Sequence, residues 1–198
     1  GRCNMHCAYC DELEKIDQER FTLYSQEMLL ESIERYEKKE GPHHSISLTG
    51  GEPLFYGPFL RNFLPSLKKN GLTTYLETNG TLPQELSQII KWCDIIAMDI
   101  KPPSSTHDRD FFEVHRKFLE IAAQKEVFVK VVVTASTDIS EIDQCIELVR
   151  SVSLKIPFIF QPLSEPIGIN QQALDLIEHK WKENGIRDTV RPQAVKAA

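Results

Sequence analysis

The stretch Cys3-Asn4-Met5-His6-Cys7-Ala8-Tyr9-Cys10 decides the fold, because it places three cysteines in a C-x3-C-x2-C spacing. Thiolates are soft ligands that suit iron–sulfur clusters or zinc. A cubane cluster normally takes a cysteine on each iron, so a loop with one cysteine too few would leave one iron open to a small molecule. Zinc bound by the same cysteines together with His6 or His43 is the alternative interpretation.

A second motif, Thr49-Gly50-Gly51-Glu52-Pro53, follows an alternating run over 45–48. The two motifs, in this order, resemble the signature of the radical S-adenosylmethionine (SAM) enzymes. The resemblance implies a [4Fe–4S] cluster on Cys3, Cys7 and Cys10, whose open iron chelates the methionine group of SAM. It also implies that the Gly-Gly-Glu-Pro segment binds the SAM amino group.

Length and composition limit the class of protein. A chain of 198 residues can bury the core of one domain. The net charge of −6 argues against a nucleic-acid-binding surface. No apolar run reaches the roughly 18 residues of a membrane span, and no secretory signal is visible. The odd count of five cysteines argues against a disulfide framework and favours a cytoplasmic protein. Cys93 and Cys145 are predicted to be small buried hydrophobic residues.

Helix-like and strand-like segments alternate along the chain. We predict strands over 45–48, 72–77, 95–99, 127–133, 156–160 and 189–191. We predict helices between the Ser25 N-cap and Gly41-Pro42, and over 58–69 with a kink or break at Pro65, 83–92, 110–124, 140–152 and 169–184. Such alternation predicts a parallel sheet, and the count is too low for a complete eight-unit barrel. The expected fold is α/β, a partial, open TIM barrel of (β/α)6 type, in one domain over 1–198 with a cluster loop over 1–24 and the barrel over 25–198.

Polar side chains end the predicted strands in matching phase. They are Ser47 and Thr49, Glu77 and Asn79, Asp99 and Lys101, and Gln161. Alternate residues share one face of a strand, and catalytic groups of such barrels gather at the carboxyl ends of the strands. We therefore expect these residues to face the interior, with Ile46, Leu48, Leu76 and Met98 packed on the helices.

Lys130 and the histidines lie outside this pattern of polar strand ends. Lys130 interrupts an apolar strand, and it either pairs with an acid in the cavity or extends from an edge into solvent. The histidines are expected at the surface or in loops. They are His43, His44, His107, His115 and His179.

Further segments resemble those of one family of radical SAM enzymes, the 7-carboxy-7-deazaguanine synthases. They are Asp11 after the third cysteine, Leu76-Glu77-Thr78-Asn79-Gly80-Thr81, Met98-Asp99-Ile100-Lys101-Pro102-Pro103, Phe128-Val129-Lys130, Gln161-Pro162-Leu163 and Val190-Arg191-Pro192-Gln193. The resemblance implies conversion of 6-carboxy-5,6,7,8-tetrahydropterin to 7-carboxy-7-deazaguanine with loss of ammonia. A 5′-deoxyadenosyl radical would begin the reaction by abstracting a hydrogen.

The resemblance also implies the site residues, although it assigns no catalytic residue. The SAM-binding residues would be Tyr9, Asp11, Gly50, Gly51, Glu52, Asn79, Asp99, Lys101, Gln161, Pro162, Leu163 and Ser164. The substrate-binding residues would be Thr49 and Glu77. Glu12 stands where the family has a Mg²⁺-binding Thr. A carboxylate is also a hard oxygen ligand that suits Mg²⁺, and the alternative is that the metal site is lost or altered. Ala194-Val195-Lys196 replaces a Thr-His-Lys ending.

The expected partners follow from the same resemblance. They are a small pterin-like substrate, an electron donor such as flavodoxin or ferredoxin, and a second copy in a homodimer, with no nucleic acid and no membrane. A strand precedes the cluster loop in this architecture, so we expect the first strand to be missing from a chain that opens at Gly1-Arg2. The alternatives are another radical SAM enzyme, such as a glycyl-radical activase, and a non-catalytic iron–sulfur or zinc protein.

Overall fold

The computed structural model describes residues 2–10, 22–134 and 136–163. The helices are α1 Gln26–Glu40, α2 Gly57–Lys69, α3 Pro83–Ile89, α4 Pro103–Thr106, α5 Phe112–Ala122 and α6 Ile139–Val152. The strands are β1 Ile46–Leu48, β2 Thr74–Thr78, β3 Ile95–Ile100, β4 Glu126–Val133 and β5 Phe158–Pro162. Short 3₁₀ turns cover Pro53–Tyr56 and Ile90–Trp92.

The described strands form one parallel sheet in the order β1-β2-β3-β4-β5. Sequential strands are neighbours, as expected when each β/α unit adds one strand to the growing sheet. Among the described strands, β1 and β5 lie at the two edges of an open sheet. The predicted α/β fold with a partial, open barrel is confirmed. The helix predicted over 169–184 and the strand predicted over 189–191 lie outside the described residues.

Local sequence signals explain where the helices begin and end. Ser25 caps α1, because its hydroxyl accepts a hydrogen bond from the backbone N–H of Met28 at 3.2 Å. Gly41 ends that helix with a φ of 91°, a conformation that favours glycine. Pro65 is predicted to kink or break its helix, and because α2 continues to Lys69 the helix does not break there. The buried apolar face of α2 offsets the backbone hydrogen bond that the proline removes.

The core lies between the sheet and a layer of helices. Helices α2, α3, α5 and α6 pack on one another in this order. In β2, Thr74, Leu76 and Thr78 are buried, while Tyr75 and Glu77 face the more open side. Leu76 and Met98 belong to the main apolar core together with Leu48, and Ile46 packs against it, which confirms the predicted phase. Cys93 and Cys145 are buried as predicted.

His115 contradicts the prediction of a surface histidine. It lies in α5 with no exposed area, and its Nε2 is 3.1 Å from the carbonyl oxygen of Asn79. Because a carbonyl only accepts, Nε2 carries the proton. Burial lowers the pKa of His115 to about 4, so the ring is neutral at pH 7. The helix places it in phase with the buried Phe118 and Leu119, and this apolar spacing overrides the polarity of the ring.

The amino ends of the strands carry an ion pair that the sequence did not indicate. Asp94 precedes β3 and accepts from Lys68 Nζ at 2.6 Å and from the backbone N–H of Thr74 at 2.8 Å. It therefore ties α2 to the starts of β2 and β3. Within the described part of the chain, every helix is too short or too polar to cross a membrane.

Candidate functional site

A cavity of about 380 Å³ opens at the carboxyl ends of the strands. Its walls come from the cysteine loop and from the segments that end β1, β2 and β3. They are Cys3, Met5, Cys7, Tyr9, Cys10, Thr49, Gly50, Gly51, Glu77, Thr78, Asn79, Asp99 and Lys101. Residues from distant parts of the sequence, predicted as one site, thus line one cavity.

The cysteine loop is fixed to the sheet by backbone contacts on two sides. On one side the N–H of Glu52 donates to the carbonyl of Arg2 at 2.9 Å, and on the other the N–H of Ala8 donates to the carbonyl of Thr106 at 3.0 Å. A Cβ at Gly51 would overlap the backbone of Arg2. Glycine is therefore required at that position for the loop to approach the turn after β1.

The three loop cysteines are free thiols, and Cys3 and Cys10 lie near enough to Cys7 to influence its pKa. Burial raises the pKa of the Cys3 and Cys7 thiols, so both are protonated at pH 7 before metal binds. Among the described residues, no three His, Cys, Asp or Glu side chains are grouped to hold a metal ion. A cubane takes each thiolate on a different iron, and the three free cysteines can supply three of its ligands. The donor set therefore fits the cluster.

Asp99 and Lys101 form a charged pair at the end of β3. Lys101 Nζ donates to Asp99 Oδ2 at 2.9 Å and lies 3.4 Å from the Tyr9 hydroxyl. Lys130 Nζ lies 3.4 Å from Asp99 Oδ1 and 3.7 Å from Glu77 Oε2, so Lys130 pairs with acids in the interior, the first of its two predicted alternatives. Burial alone would raise the pKa of Asp99, but Lys101 and Lys130 lower it overall.

Tyr9 and Lys101, which both line the cavity, also have pKa values shifted from their usual ones. Burial raises the pKa of Tyr9 to about 12, so its hydroxyl keeps its proton. Burial would lower the pKa of Lys101, but the Asp99 carboxylate raises it, so Lys101 remains an ammonium. The cavity therefore presents one fixed cation and one neutral hydroxyl side by side.

The Glu52 carboxylate points away from the cavity into the protein. Its Oε1 accepts from the Leu54 N–H and the Thr78 hydroxyl, each at 3.0 Å, and its Oε2 accepts from the Asn79 N–H at 2.8 Å. Burial raises the pKa of Glu52 in spite of these bonds. The sequence predicted that Glu52 binds the cofactor. In the structure its carboxylate accepts hydrogen bonds from the backbone that shapes the site.

Asn79 lies between the cysteine loop and β2. Its Nδ2 donates to Asn4 Oδ1 at 2.9 Å and lies 3.7 Å from Cys3 Sγ. Its Oδ1 accepts from Thr81, and Asn4 in turn donates to the Thr81 hydroxyl at 2.8 Å. Asn79 and Thr81 are buried while Asn4 is exposed, and their hydrogen bonds connect the loop to the sheet.

The remaining predicted residues divide into two groups. Thr49 and the half-exposed Glu77 line the cavity, and Glu77 accepts from the Ser47 hydroxyl at 3.2 Å. Gln161 and Leu163 lie in or just after β5, where the Leu163 N–H donates to the carbonyl of Val133. Pro162 ends β5. Asp11, Glu12 and Ser164 lie outside the described residues.

Sequence reasoning missed three residues of this site, which are Asn4, Thr81 and His115. Asn4 lies within the cysteine motif and Thr81 within the segment 76–81, but their residue types alone indicated no role. The spacing of His115 from Phe111, Phe118 and Leu119 places it on the apolar face of its helix, and this signal could have identified a buried polar group. Its partner, the Asn79 carbonyl, could not be read from spacing.

The sequence matches the profile of the Radical SAM superfamily over residues 1–152. The 7-carboxy-7-deazaguanine synthase of Geobacter sulfurreducens is 36% identical, over 89% of this chain and 78% of that protein. The 7-carboxy-7-deazaguanine synthase of Thermococcus kodakarensis is 30% identical, over 87% of this chain and 75% of that protein.

Solved structures agree on the fold. SuiB of Streptococcus suis bound to S-adenosylmethionine gives a TM-score of 0.67 at 16% identity, covering 98% of this chain and 46% of that one. TYW1 with a lysine-pyruvate adduct bound gives 0.66 at 15% identity, covering 95% of this chain and 73% of that one. Members of the matched superfamily use a [4Fe–4S] cluster and SAM. This chain therefore belongs to the radical SAM superfamily, alongside the 7-carboxy-7-deazaguanine synthases.

Proposed function

We propose that the protein converts 6-carboxy-5,6,7,8-tetrahydropterin to 7-carboxy-7-deazaguanine, with loss of ammonia. The observation that carries the proposal is the convergence of three free cysteines and the Asp99–Lys101 pair on one cavity, in a chain 36% identical to a 7-carboxy-7-deazaguanine synthase. The cluster and SAM, when bound, supply the reducing electron and the radical that abstracts hydrogen. The protein supplies binding, orientation and exclusion of water.

Cys3, Cys7 and Cys10 would hold the cluster. Because the pKa values of Cys3 and Cys7 are raised in the metal-free protein, binding the cluster releases their protons. The close approach of Gly51 to the Arg2 backbone supports this role, since it fixes the start of the loop against the sheet.

Lys101, Asp99 and Tyr9 would hold SAM. The Lys101 ammonium suits the SAM carboxylate, and the carboxylate of Asp99 suits hydroxyl or ammonium donors. Glycine at position 50, where a Cβ would meet no atom within 4 Å, lets a ligand approach the backbone, and Gly51 lines the same cavity. Gln161, Pro162, Leu163 and Ser164 follow from the resemblance and would complete this binding site with Asp11.

Thr49 and Glu77 would contact the pterin. Glu77 Oε2 is 3.7 Å from Lys130, and a carboxylate accepts hydrogen bonds from the N–H groups of a heterocycle. Glu12 would contribute to a Mg²⁺ site. The chain would act as one domain in the cytoplasm, as a homodimer, with flavodoxin or ferredoxin as its electron donor.

The decisive assay offers the carboxypterin to the reconstituted protein under anaerobic conditions with SAM and a reductant. We expect 5′-deoxyadenosine to form faster with the pterin than without it, and 7-carboxy-7-deazaguanine to accumulate. If the pterin leaves 5′-deoxyadenosine formation unchanged, the substrate is wrong, and another radical SAM activity such as glycyl-radical activation becomes the better interpretation.

The cluster ligands are tested with Cys7→Ala and a matched control, Cys93→Ala. Cys93 is fully buried and lies outside the loop, so its loss removes a thiol without removing a proposed ligand. We expect Cys7→Ala to lose iron, sulfide and activity together, while Cys93→Ala keeps its iron. Full iron content in Cys7→Ala, or stoichiometric zinc without iron in the unaltered protein, would contradict the cluster assignment.

A further inference from the structure

The amide of Asn79 has one orientation only. The backbone N–H of Thr81 is a donor with no acceptor capacity, and it lies 3.1 Å from Asn79 Oδ1. If the amide were reversed, two donors would face each other. Nδ2 must therefore point to the other side, where it lies 3.7 Å from Cys3 Sγ and 2.9 Å from Asn4 Oδ1. The geometry is that of an N–H···S hydrogen bond to a cysteine of the cluster loop.

The backbone of Asn79 is held on both sides of its side chain. The buried Glu52 carboxylate accepts from its N–H at 2.8 Å, and the buried His115 ring donates to its carbonyl at 3.1 Å. Glu52 and His115 are 1% and 0% exposed, so water does not compete for these bonds. A side chain fixed in this way holds its donor toward the sulfur without reorganising.

We propose that Asn79 raises the reduction potential of the cluster by donating a hydrogen bond to Cys3 Sγ. The inference rests on the cluster that the proposed function requires. Reduction adds one electron to the cluster, and part of the added negative charge lies on the ligand sulfurs. A donor aimed at a sulfur therefore stabilises the reduced form more than the oxidised form, and hydrogen bonds to sulfur are a known determinant of cluster potentials.

Asn79 acts in this proposal through Cys3 rather than on the reacting atoms, so it is a positioning residue. Asn4 and Thr81 keep the amide in place, and Glu52 and His115 keep its backbone in place. The Glu52 carboxylate accepts hydrogen bonds from Leu54, Thr78 and Asn79. It therefore connects the Gly-Gly-Glu-Pro turn to the segment after β2, and both contact the cysteine loop.

The test is a redox titration of the reconstituted protein with dithionite as the electron source, followed by EPR of the reduced cluster, without SAM or pterin. In Asn79→Leu, which keeps the branched side-chain shape and removes the donor, we expect the reduced-to-oxidised ratio at a fixed potential to fall about tenfold. That change corresponds to a potential lower by about 59 mV for a one-electron couple.

The matched control is Thr81→Val. It removes the hydroxyl that Asn79 Oδ1 and Asn4 contact, and it keeps both the Thr81 N–H and the Nδ2–Sγ contact. We expect its potential to stay close to that of the unaltered protein. An unchanged potential in Asn79→Leu with a full cluster, or an equal fall in both variants, overturns the proposal.

If Asn79→Leu does not retain its cluster, the unaltered protein decides the question. Labelling asparagine side-chain amides with ¹⁵N and recording pulsed EPR of the reduced cluster should reveal a weak nitrogen coupling, and its absence overturns the proposal. The titration contains neither SAM nor pterin, so failure of the pterin assay does not affect it, and a failed titration leaves the substrate assignment standing.

Discussion

Two carboxylates stand at opposite ends of β3 and have opposite surroundings. At the amino end, Asp94 Oδ2 accepts hydrogen bonds from three donors: Lys68 Nζ, the Thr74 N–H and the Thr74 hydroxyl. Asp99, at the carboxyl end, accepts one bond from Lys101, and among the described residues its Oδ1 has no hydrogen bond although Lys130 is 3.4 Å away.

The difference separates a structural carboxylate from a binding one. The partners of Asp94 join α2 to the starts of β2 and β3, so its charge is satisfied by the fold itself. Asp99 lines the cavity, and its buried Oδ1 keeps the capacity to accept a hydrogen bond from a further donor. This follows the division of barrel folds into a stability end and a catalytic end.

The largest expected effect on SAM binding is that of Asp99→Asn. Removing the charge takes away the partner of both lysines, and charge-assisted hydrogen bonds contribute about 1.5–3 kcal/mol. We expect SAM affinity to fall roughly 10- to 100-fold, since each 1.4 kcal/mol is a factor of about ten. Isothermal titration of the cluster-loaded protein measures the affinity, with Asp94→Asn as the matched control. Equal losses of SAM affinity in the two variants would contradict the distinction between Asp99 as a binding carboxylate and Asp94 as a structural one.

The second effect concerns Glu52, which lies at the carboxyl end but should behave like Asp94. In Glu52→Leu, the buried N–H groups of Leu54 and Asn79 lose their acceptor, and each unsatisfied group costs about 1–3 kcal/mol. We expect the free energy of unfolding to fall by about 3 kcal/mol in anaerobic urea denaturation. Glu52→Gln keeps an acceptor and should lose less. A stable Glu52→Leu protein with weakened SAM binding would instead support direct contact with the cofactor.

The smallest effect is that of Asp94→Asn on stability, about 1 kcal/mol at pH 7. Burial alone would raise the pKa of Asp94, but its hydrogen bonds to Lys68 and Thr74 lower it overall. A carboxyl with a lowered folded-state pKa stabilises the protein above its unfolded-state pKa of about 3.9, and the contribution disappears as the pH falls through the folded-state pKa. The stability difference between the unaltered protein and Asp94→Asn should therefore shrink below about pH 4, as urea denaturation at several pH values would measure. A difference that grows on acidification would contradict the pairing.

Much of the fold could be predicted because it depends on local periodicity. The alternation of Tyr75, Leu76 and Glu77 is visible in sequence, and so is the cap at Ser25. The matching polar phase at the ends of β1, β2 and β3 also located the cavity, because parallel strands bring their carboxyl ends together.

The rest depends on contacts across the chain that spacing does not encode. The motif containing Glu52 indicated the right turn, but only the fold shows that its carboxylate holds Asn79, 27 residues away in sequence. His115 was misassigned because polarity was weighed above helical phase. Asp94 could not be recognised, since its role is set by Lys68 and Thr74 on neighbouring elements.

Helix α1 differs from the helices that pack on the sheet, because it contains no buried residue. Met28 and Tyr36 are 47% and 60% exposed, and the contact with the core comes from the partly buried Leu29, Leu30 and Ile33. Little apolar area therefore opposes local opening of this segment. Its amides should exchange with deuterium well before those of β3, so α1 can detach and return while the strands that carry the cavity remain folded.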